Sequence, residues 1–465
     1  MMIRRFLLGV LFLLAAGCSS PTVAPVAPAP PPPAVTYTDP PAYGVPFAQV
    51  PETKDIIMYE VNLRAFSTSG TFAGVTARLD SIKALGANTI WLMPIHPVGQ
   101  LNSVGQLGSP YSVKNYKEVS TEYGTLDDLR HLVTEAHAKG MAVILDWVAN
   151  HTAWDNPWIV NTTWYTRNQY GAITHPPGTN WLDVADLDYS SNAMRRAMIN
   201  AMKYWILAAN VDGYRCDYAD GIPYDFWKQA IDTLEAMPGR ELILLAEGAR
   251  KDHFTAGFQL NYGWDYFGGL VSVFKDGQAA TGLTTIDANE TFNMPAGTYR
   301  LRFTANHDEV AWNDTPLGLF GGQDGSLAAF VLASFMGGVP LLYNGQEVGC
   351  PVKLPFFSRS PIDWNINPGM TRTYKKLLSI RANSEAIKQG TIQTFSDNDV
   401  VAFKRISGSE EVLVIVNTRP TTVTHTLDGT LINTTWGDTM NQLAVKQLGT
   451  TLDLGPFAYF ILKKP

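Results

Sequence analysis

From Ile56 onward, short apolar runs alternate with amphipathic stretches, the pattern of parallel strands separated by helices. Eight runs read as strands, over residues 56–61, 89–93, 141–147, 213–217, 242–246, 262–266, 301–305 and 340–343. The helices between them show a 3.6-residue period. Val75, Leu79, Ile82 and Leu85 share one face ahead of Gly86, and Thr125 is placed to cap a helix that stops at Gly140. Met194, Ala197, Met198, Ala201, Met202 and Trp205 form a third stripe. Eight strand–helix units in a row predict an α/β fold, a closed (β/α)8 TIM barrel whose chemistry lies on the loops after the C-terminal strand ends. Periodicity by itself also admits a doubly wound open sheet.

Two regions depart from this alternation. Residues 149–192 hold Trp154, Trp158, Trp164, Tyr165, Tyr170 and Trp181 among Asn, Thr, Pro and Gly, too long a stretch for an ordinary loop. It reads as a small inserted subdomain, with some rings expected in its own core and others facing a ligand. After Asn383 the text changes to short alternating runs, over 400–405, 411–416, 421–427 and 457–462, the signature of an antiparallel β domain. The barrel is therefore assigned to 51–383 and a C-terminal β-sandwich to 384–465.

The N-terminus is of another kind. Arg4 and Arg5 precede an apolar run that ends at Gly17-Cys18, the n-region and h-region of an export signal. The small residues before Cys18 resemble the lipobox of bacterial lipoproteins, which makes Cys18 the expected lipid attachment site and the protein an exported one held at a membrane. Residues 19–50, rich in Pro and Ala, read as an extended tether, with the folded body starting near Lys54.

Composition narrows the functional classes. With 465 residues, 46% of them hydrophobic, the chain can bury a large core and is not disordered overall. A formal net charge of -7 argues against a protein that neutralises nucleic-acid phosphates. Its three cysteines, Cys18, Cys216 and Cys350, cannot supply a disulfide framework.

Candidate chemistry emerges when the polar residues at the strand ends are collected: Asp146 to His151, Arg215 and Asp217, Glu247, and Asn306-His307-Asp308. Converging carboxylates suit glycoside cleavage, one attacking the anomeric carbon while another, protonated, releases the leaving oxygen. Metal-assisted hydrolysis also uses Asp and His, and the barrel pattern alone does not choose.

The segments Asp146-Trp-Val-Ala-Asn-His151, Gly213-Tyr-Arg-Cys-Asp217, Leu245-Ala-Glu247 and Phe303-Thr-Ala-Asn-His-Asp308 resemble, in order, the four signature regions of the α-amylase family of glycoside hydrolases. Asp183-Val-Ala-Asp-Leu-Asp188 is similar to a fifth region, and 338–347 to the family's eighth-strand segment. The resemblance implies that Asp217 is the nucleophile, Glu247 the acid/base and Asp308 the group that binds sugar hydroxyls and stabilises the transition state. It implies that His151 and His307 bind hydroxyls, that Tyr111 stacks on the sugar, and that Asp146 orients its neighbours. Arg215, on the same strand face as Asp217, is expected to lower its pKa, and partial desolvation is expected to keep Glu247 protonated.

The activity implied is retaining hydrolysis of α-1,4-glucosidic bonds in starch, glycogen or maltodextrins, with an α-glucan as partner. Glucanotransferase or α-glucosidase action within the same family, or a noncatalytic starch-binding lipoprotein, are the alternatives. No cofactor is needed for the chemistry. One departure stands out: many relatives continue Asp-x-x-Lys-His after the nucleophile, whereas this chain has Asp217-Tyr-Ala-Asp220-Gly221. That alters the leaving-group side and one contributor to a structural calcium site, for which Asn150 and Asp183 remain as oxygen donors.

Overall fold

The computed structural model describes residues 37–465. Eight parallel strands close into a barrel: β1 (Met58–Val61), β2 (Thr89–Leu92), β3 (Ala142–Val148), β4 (Gly213–Asp217), β5 (Ile243–Ala246), β6 (Leu260–Tyr262), β7 (Tyr299–Arg302) and β8 (Val339–Tyr343). Each pairs with its neighbours in sequence, and β8 returns to β1 through Met58 opposite Leu341. The open sheet is thereby excluded. Trp91, Trp147, Trp205 and Trp227 are among the largest fully buried side chains of the core.

The helix signals hold where capping and periodicity agree. Thr125 and Asp128 form a reciprocal capping box on Leu126–Ala138, and Gly140 takes the left-handed conformation just beyond its end. The stripe at 194–205 lies in Asn192–Ala208 and is buried. Val75 to Leu85 is two helices, Phe72–Thr76 and Leu79–Leu85, with Arg78 outside helical geometry between them. The strand expected over 262–266 lies earlier. Trp264–Phe274 is a helix in which Phe267, Leu270 and Phe274 recur at helical spacing and are buried, so the longer period prevails there.

In the inserted region, two short strands, His151–Ala153 and Val184–Asp186, pair antiparallel. Trp158 and Trp164 meet edge to face at 5.4 Å and pack on the barrel core, whereas Trp181 faces the cleft described below. After Asn383 the chain forms a six-stranded antiparallel sheet and a two-stranded one. Val400, Leu413, Trp436 and Leu454 share a core drawn from both sheets. Four of these strands fall on the expected runs. Thr391–Thr394, Thr435–Asp438, Ala444–Gln447 and Thr451–Leu454 lie outside those runs; the first and third are almost wholly exposed and so carry no alternation of buried and exposed positions.

Residues 39–50 form no helix or strand, yet they are held. The Tyr43 N–H donates to the Leu207 carbonyl at 2.8 Å, Asn210 Nδ2 donates to the Val45 carbonyl at 2.8 Å, and Phe47 stacks on His137 at 4.3 Å. The folded body thus begins near Asp39, and residues 39–50 are not part of a spacer, because their backbone groups and rings find partners on two barrel helices and on Asn210 just beyond one of them. Leu207 and His137 sit at the ends of helices that lead into β4 and β3, so residues 43–47 lie on the face opposite the C-terminal strand ends. The signal over 1–18, Cys18 and the tether up to residue 36 lie outside the described residues.

Candidate active site

Alternation on β4 turns Arg215 and Asp217 inward and packs Tyr214 and Cys216 into the core. Cys216 is therefore a buried thiol, pushed up in pKa by that burial, and not a redox group. Strand register supplies the neighbours, since Arg215 lies opposite Asp146 on β3 and Leu245 on β5, two residues before Glu247. The buried guanidinium meets Asp146 through Nη1 at 2.9 Å, Asp217 through Nη1 at 3.0 Å and Glu247 through Nη2 at 2.8 Å. Its Nε donates to the Tyr262 hydroxyl at 3.2 Å.

One guanidinium cannot balance three largely buried carboxylates. Burial pushes Asp217 and Glu247 up to about 7 and Asp146 up to about 6, with Arg215 opposing the rise in each case. The expectation for Asp217 is thus corrected in its net direction: the guanidinium lowers its pKa, but desolvation outweighs it. The cluster therefore retains a proton around neutrality, and the titration belongs to the group as a whole. Such a cluster can provide an ionised and a protonated carboxyl side by side.

The backbone next to Asp217 adds a donor. Tyr218 has φ of 43°, a left-handed conformation rarely adopted by a bulky side chain, and its N–H donates to Glu247 Oε2 at 2.6 Å. Strain at this position aims an amide at the second carboxyl.

His307 lies deeper. Its Nδ1 is bonded to the carboxylate of Glu60 on β1, and its Nε2 lies 2.6 Å from the Tyr111 hydroxyl and 3.4 Å from Asp308. Burial alone would lower its pKa, but Asp308 and Glu60 outweigh it and bring the imidazole up to about 9. It is a cation at neutral pH, so it donates to Tyr111, whose hydroxyl donates on to Asp146 at 3.1 Å. His151, with no such carboxylate, is lowered by burial to about 4 and is neutral.

A cleft of about 230 Å³ opens over these groups, lined by Tyr111, His151, Trp181, Asp217, Tyr218, Glu247, His307, Asp308, Trp312, Phe356 and Phe357 among others. The structure therefore brings Asp217, Glu247, Asp308, Tyr111, His151 and His307 to one cleft, with Arg215 and Asp146 beneath it. Glu60, Tyr218, Tyr262, Trp312, Phe356 and Phe357 were not foreseen. Glu60 had a legible signal, a lone carboxylate in the apolar run 56–61; the others lie where only packing decides which side chain faces the cleft.

The departure at Asp220 has a structural counterpart. Its carboxylate accepts the N–H groups of Ala249 at 3.0 Å and Arg250 at 3.3 Å, tying the loop after β4 to the loop after Glu247. Gly248 lies so close that an added Cβ would fall 2.3 Å from Asp220 Oδ1, so this approach requires glycine. Of the two oxygen donors expected for calcium, Asp183 borders the cleft and Asn150 is buried beside His151. The Asn150 amide sits 3.3 Å from the His151 ring, and among the described residues no three His, Cys, Asp or Glu side chains are grouped to hold a metal ion. No step is assigned to a metal.

Comparison with known proteins agrees with this geometry. Residues 47–177 match the family described as alpha amylase, catalytic domain. Alpha-amylase 2 of Dictyoglomus thermophilum is 27% identical over 413 residues, covering 80% of this chain and 68% of the relative. An alpha-1,4-glucan:maltose-1-phosphate maltosyltransferase of Rhodospirillum rubrum is 28% identical over 76% of this chain and 54% of its own. The crystal structure of an alpha-amylase from Lactobacillus plantarum superposes with a TM-score of 0.81 at 27% identity, covering 89% of this chain and 100% of that one.

Proposed function

Because the chain belongs to the α-amylase family of glycoside hydrolases, we propose that it hydrolyses α-1,4-glucosidic bonds in starch, glycogen or maltodextrins with net retention of configuration. The observation that carries this reading is the single guanidinium of Arg215, which holds Asp217 on one nitrogen and Glu247 on the adjacent one. One guanidinium thus draws both carboxyls to the same side of the cleft, and retention requires them to lie about 5–5.5 Å apart, too close for an attacking water between them and the sugar.

In the first step Asp217 attacks the anomeric carbon, the glycosidic bond breaks, and the Glu247 proton goes to the leaving oxygen. Glu247, now ionised, takes a proton from water, and the resulting hydroxide displaces Asp217 to restore both groups. Asp308 and the cationic His307 hold hydroxyls of the reacting sugar, the Tyr111 ring covers its apolar face, and the Tyr218 N–H steadies Glu247 when it is negative.

Soluble starch and maltoheptaose, incubated with the purified protein, are expected to yield shorter maltodextrins, with the first anomer seen by NMR in the α form. A β first product overturns retention. Products longer than the substrate favour transfer, the second reading, which is supported by the similarity to a maltosyltransferase. The same three carboxyl groups serve hydrolysis and transfer alike, and acceptor binding separates the two.

For location, we propose lipid attachment at Cys18, with the Pro- and Ala-rich segment after it holding the barrel away from the membrane so that a glucan can reach the cleft. The small residues before Cys18 and the non-globular composition after it support this. Cys18→Ala is expected to move activity from the membrane fraction to the soluble one; equal membrane retention rejects the anchor and leaves the hydrolase reading intact.

A further inference from the structure

The π-helical turn Glu309–Asn313 directly follows Asp308 and carries Trp312 with 60% of its surface exposed. Turns of this kind are rare and recur at functional sites. One side of the indole borders the catalytic cleft, meeting Phe356 edge to face at 5.4 Å and Phe357 at 5.9 Å. Phe356 in turn lies 5.4 Å from His307. The other side borders a second, open groove of about 430 Å³ between this turn and the helix Trp264–Phe274. Phe267 and Val271 supply apolar surface there, and Lys275, Asn313 and Asp314 supply polar groups. Trp312 lines both spaces.

We propose that this groove is an additional glucosyl-binding subsite, with Trp312 the ridge over which an α-glucan chain passes out of the catalytic cleft. The proposal rests on the α-glucan reading given above and extends it to a preference for longer chains. Continuity is the main argument: a polymer leaving the cleft past Phe356 meets the indole and then the groove. The chemistry matches, because a pyranose presents apolar C–H faces to an aromatic ring and hydroxyls around its rim to amides and charges. An exposed indole flanked by polar groups is an unfilled stacking surface of that kind. Lys275, Asn313 and Asp314 lie within the groove itself, where they can accept and donate to hydroxyls of a bound sugar.

Two substitutions test it from opposite sides. Trp312→Ala removes the stacking surface. Gly268→Trp places an indole in the groove, from a position where an added Cβ meets nothing within 4 Å. In both, the ratio of kcat/KM for maltoheptaose to that for maltotriose is expected to fall about five- to tenfold, the loss of one stacking contact. Calorimetric affinity for maltoheptaose in the same variants is expected to weaken by a similar factor. A ratio and an affinity both within about twofold of wild type overturn the subsite. A loss in Trp312→Ala without one in Gly268→Trp also overturns it, by placing the effect in the catalytic cleft. If the wild-type protein binds maltoheptaose but cleaves neither substrate, the hydrolase reading fails and the affinities alone decide the groove.

Discussion

Asp217→Asn and Glu247→Gln are each expected to lower turnover on maltoheptaose by on the order of 10⁴-fold while leaving the fold intact. Each change is nearly isosteric and removes one reacting group: the first abolishes the nucleophilic oxygen, the second the exchangeable proton. Near-normal turnover in either variant rejects the assignment. The same variants carry a pH signature. Burial raises both carboxyls to about 7 in the folded protein, above the value of about 4 expected when unfolded. A raised carboxyl contributes stability that is fully present below its unfolded pKa and is lost as pH rises through its folded pKa. Wild type therefore loses this contribution between about pH 4 and pH 7, and the neutral variants do not. Their melting temperatures are expected to exceed that of wild type at pH 8 and to converge with it near pH 4. Thermal melts at the two pH values check this, and a variant less stable than wild type at pH 8 contradicts it.

Arg215→Met is expected to be the most destabilising change in the site. It removes the one cation that, among the described residues, meets all of Asp146, Asp217 and Glu247, and stranding a partner of a buried ion pair costs about 3–5 kcal/mol. Because the three carboxyls can take up protons, the loss should shrink at low pH, where they are neutral. Arg215→Lys keeps the charge but not the planar fork that reaches two carboxylates through one nitrogen and a third through the other. It is expected to fold better than the Met variant and still lose most activity, because the relative placement of Asp217 and Glu247 is no longer held. Denaturant unfolding together with kcat on maltoheptaose separates the two effects; full activity in Arg215→Lys would falsify the positioning role.

The strongest buried charges of this site are therefore also its costs to the free protein. His307 is kept cationic by two carboxylates, and Asp217 and Glu247 are forced to share one guanidinium. A substrate that fills the cleft excludes water further and strengthens these interactions around the charge developing at the sugar. The strained Tyr218 backbone serves the same end by fixing a donor on Glu247 before substrate arrives.

The sequence alone determined the run of eight strand–helix units and the strand-end positions of Asp217, Glu247, Asp308, His151 and His307, because strand periodicity and short motifs are local properties of the chain, whereas closure into a barrel was decided by the pairing of β8 with β1. It misplaced β6, where a brief aromatic run satisfies both periods, and it missed strands whose faces are exposed. Tertiary structure alone decided what surrounds each motif. Glu60 and His307 lie 247 positions apart yet form one ion pair, and Phe356 reaches the cleft from a loop after β8. The net direction of the Asp217 pKa was likewise out of reach of the sequence. The i, i+2 spacing shows that Arg215 is near, but desolvation depends on how many groups from other strands close around the pair, and that is a property of packing.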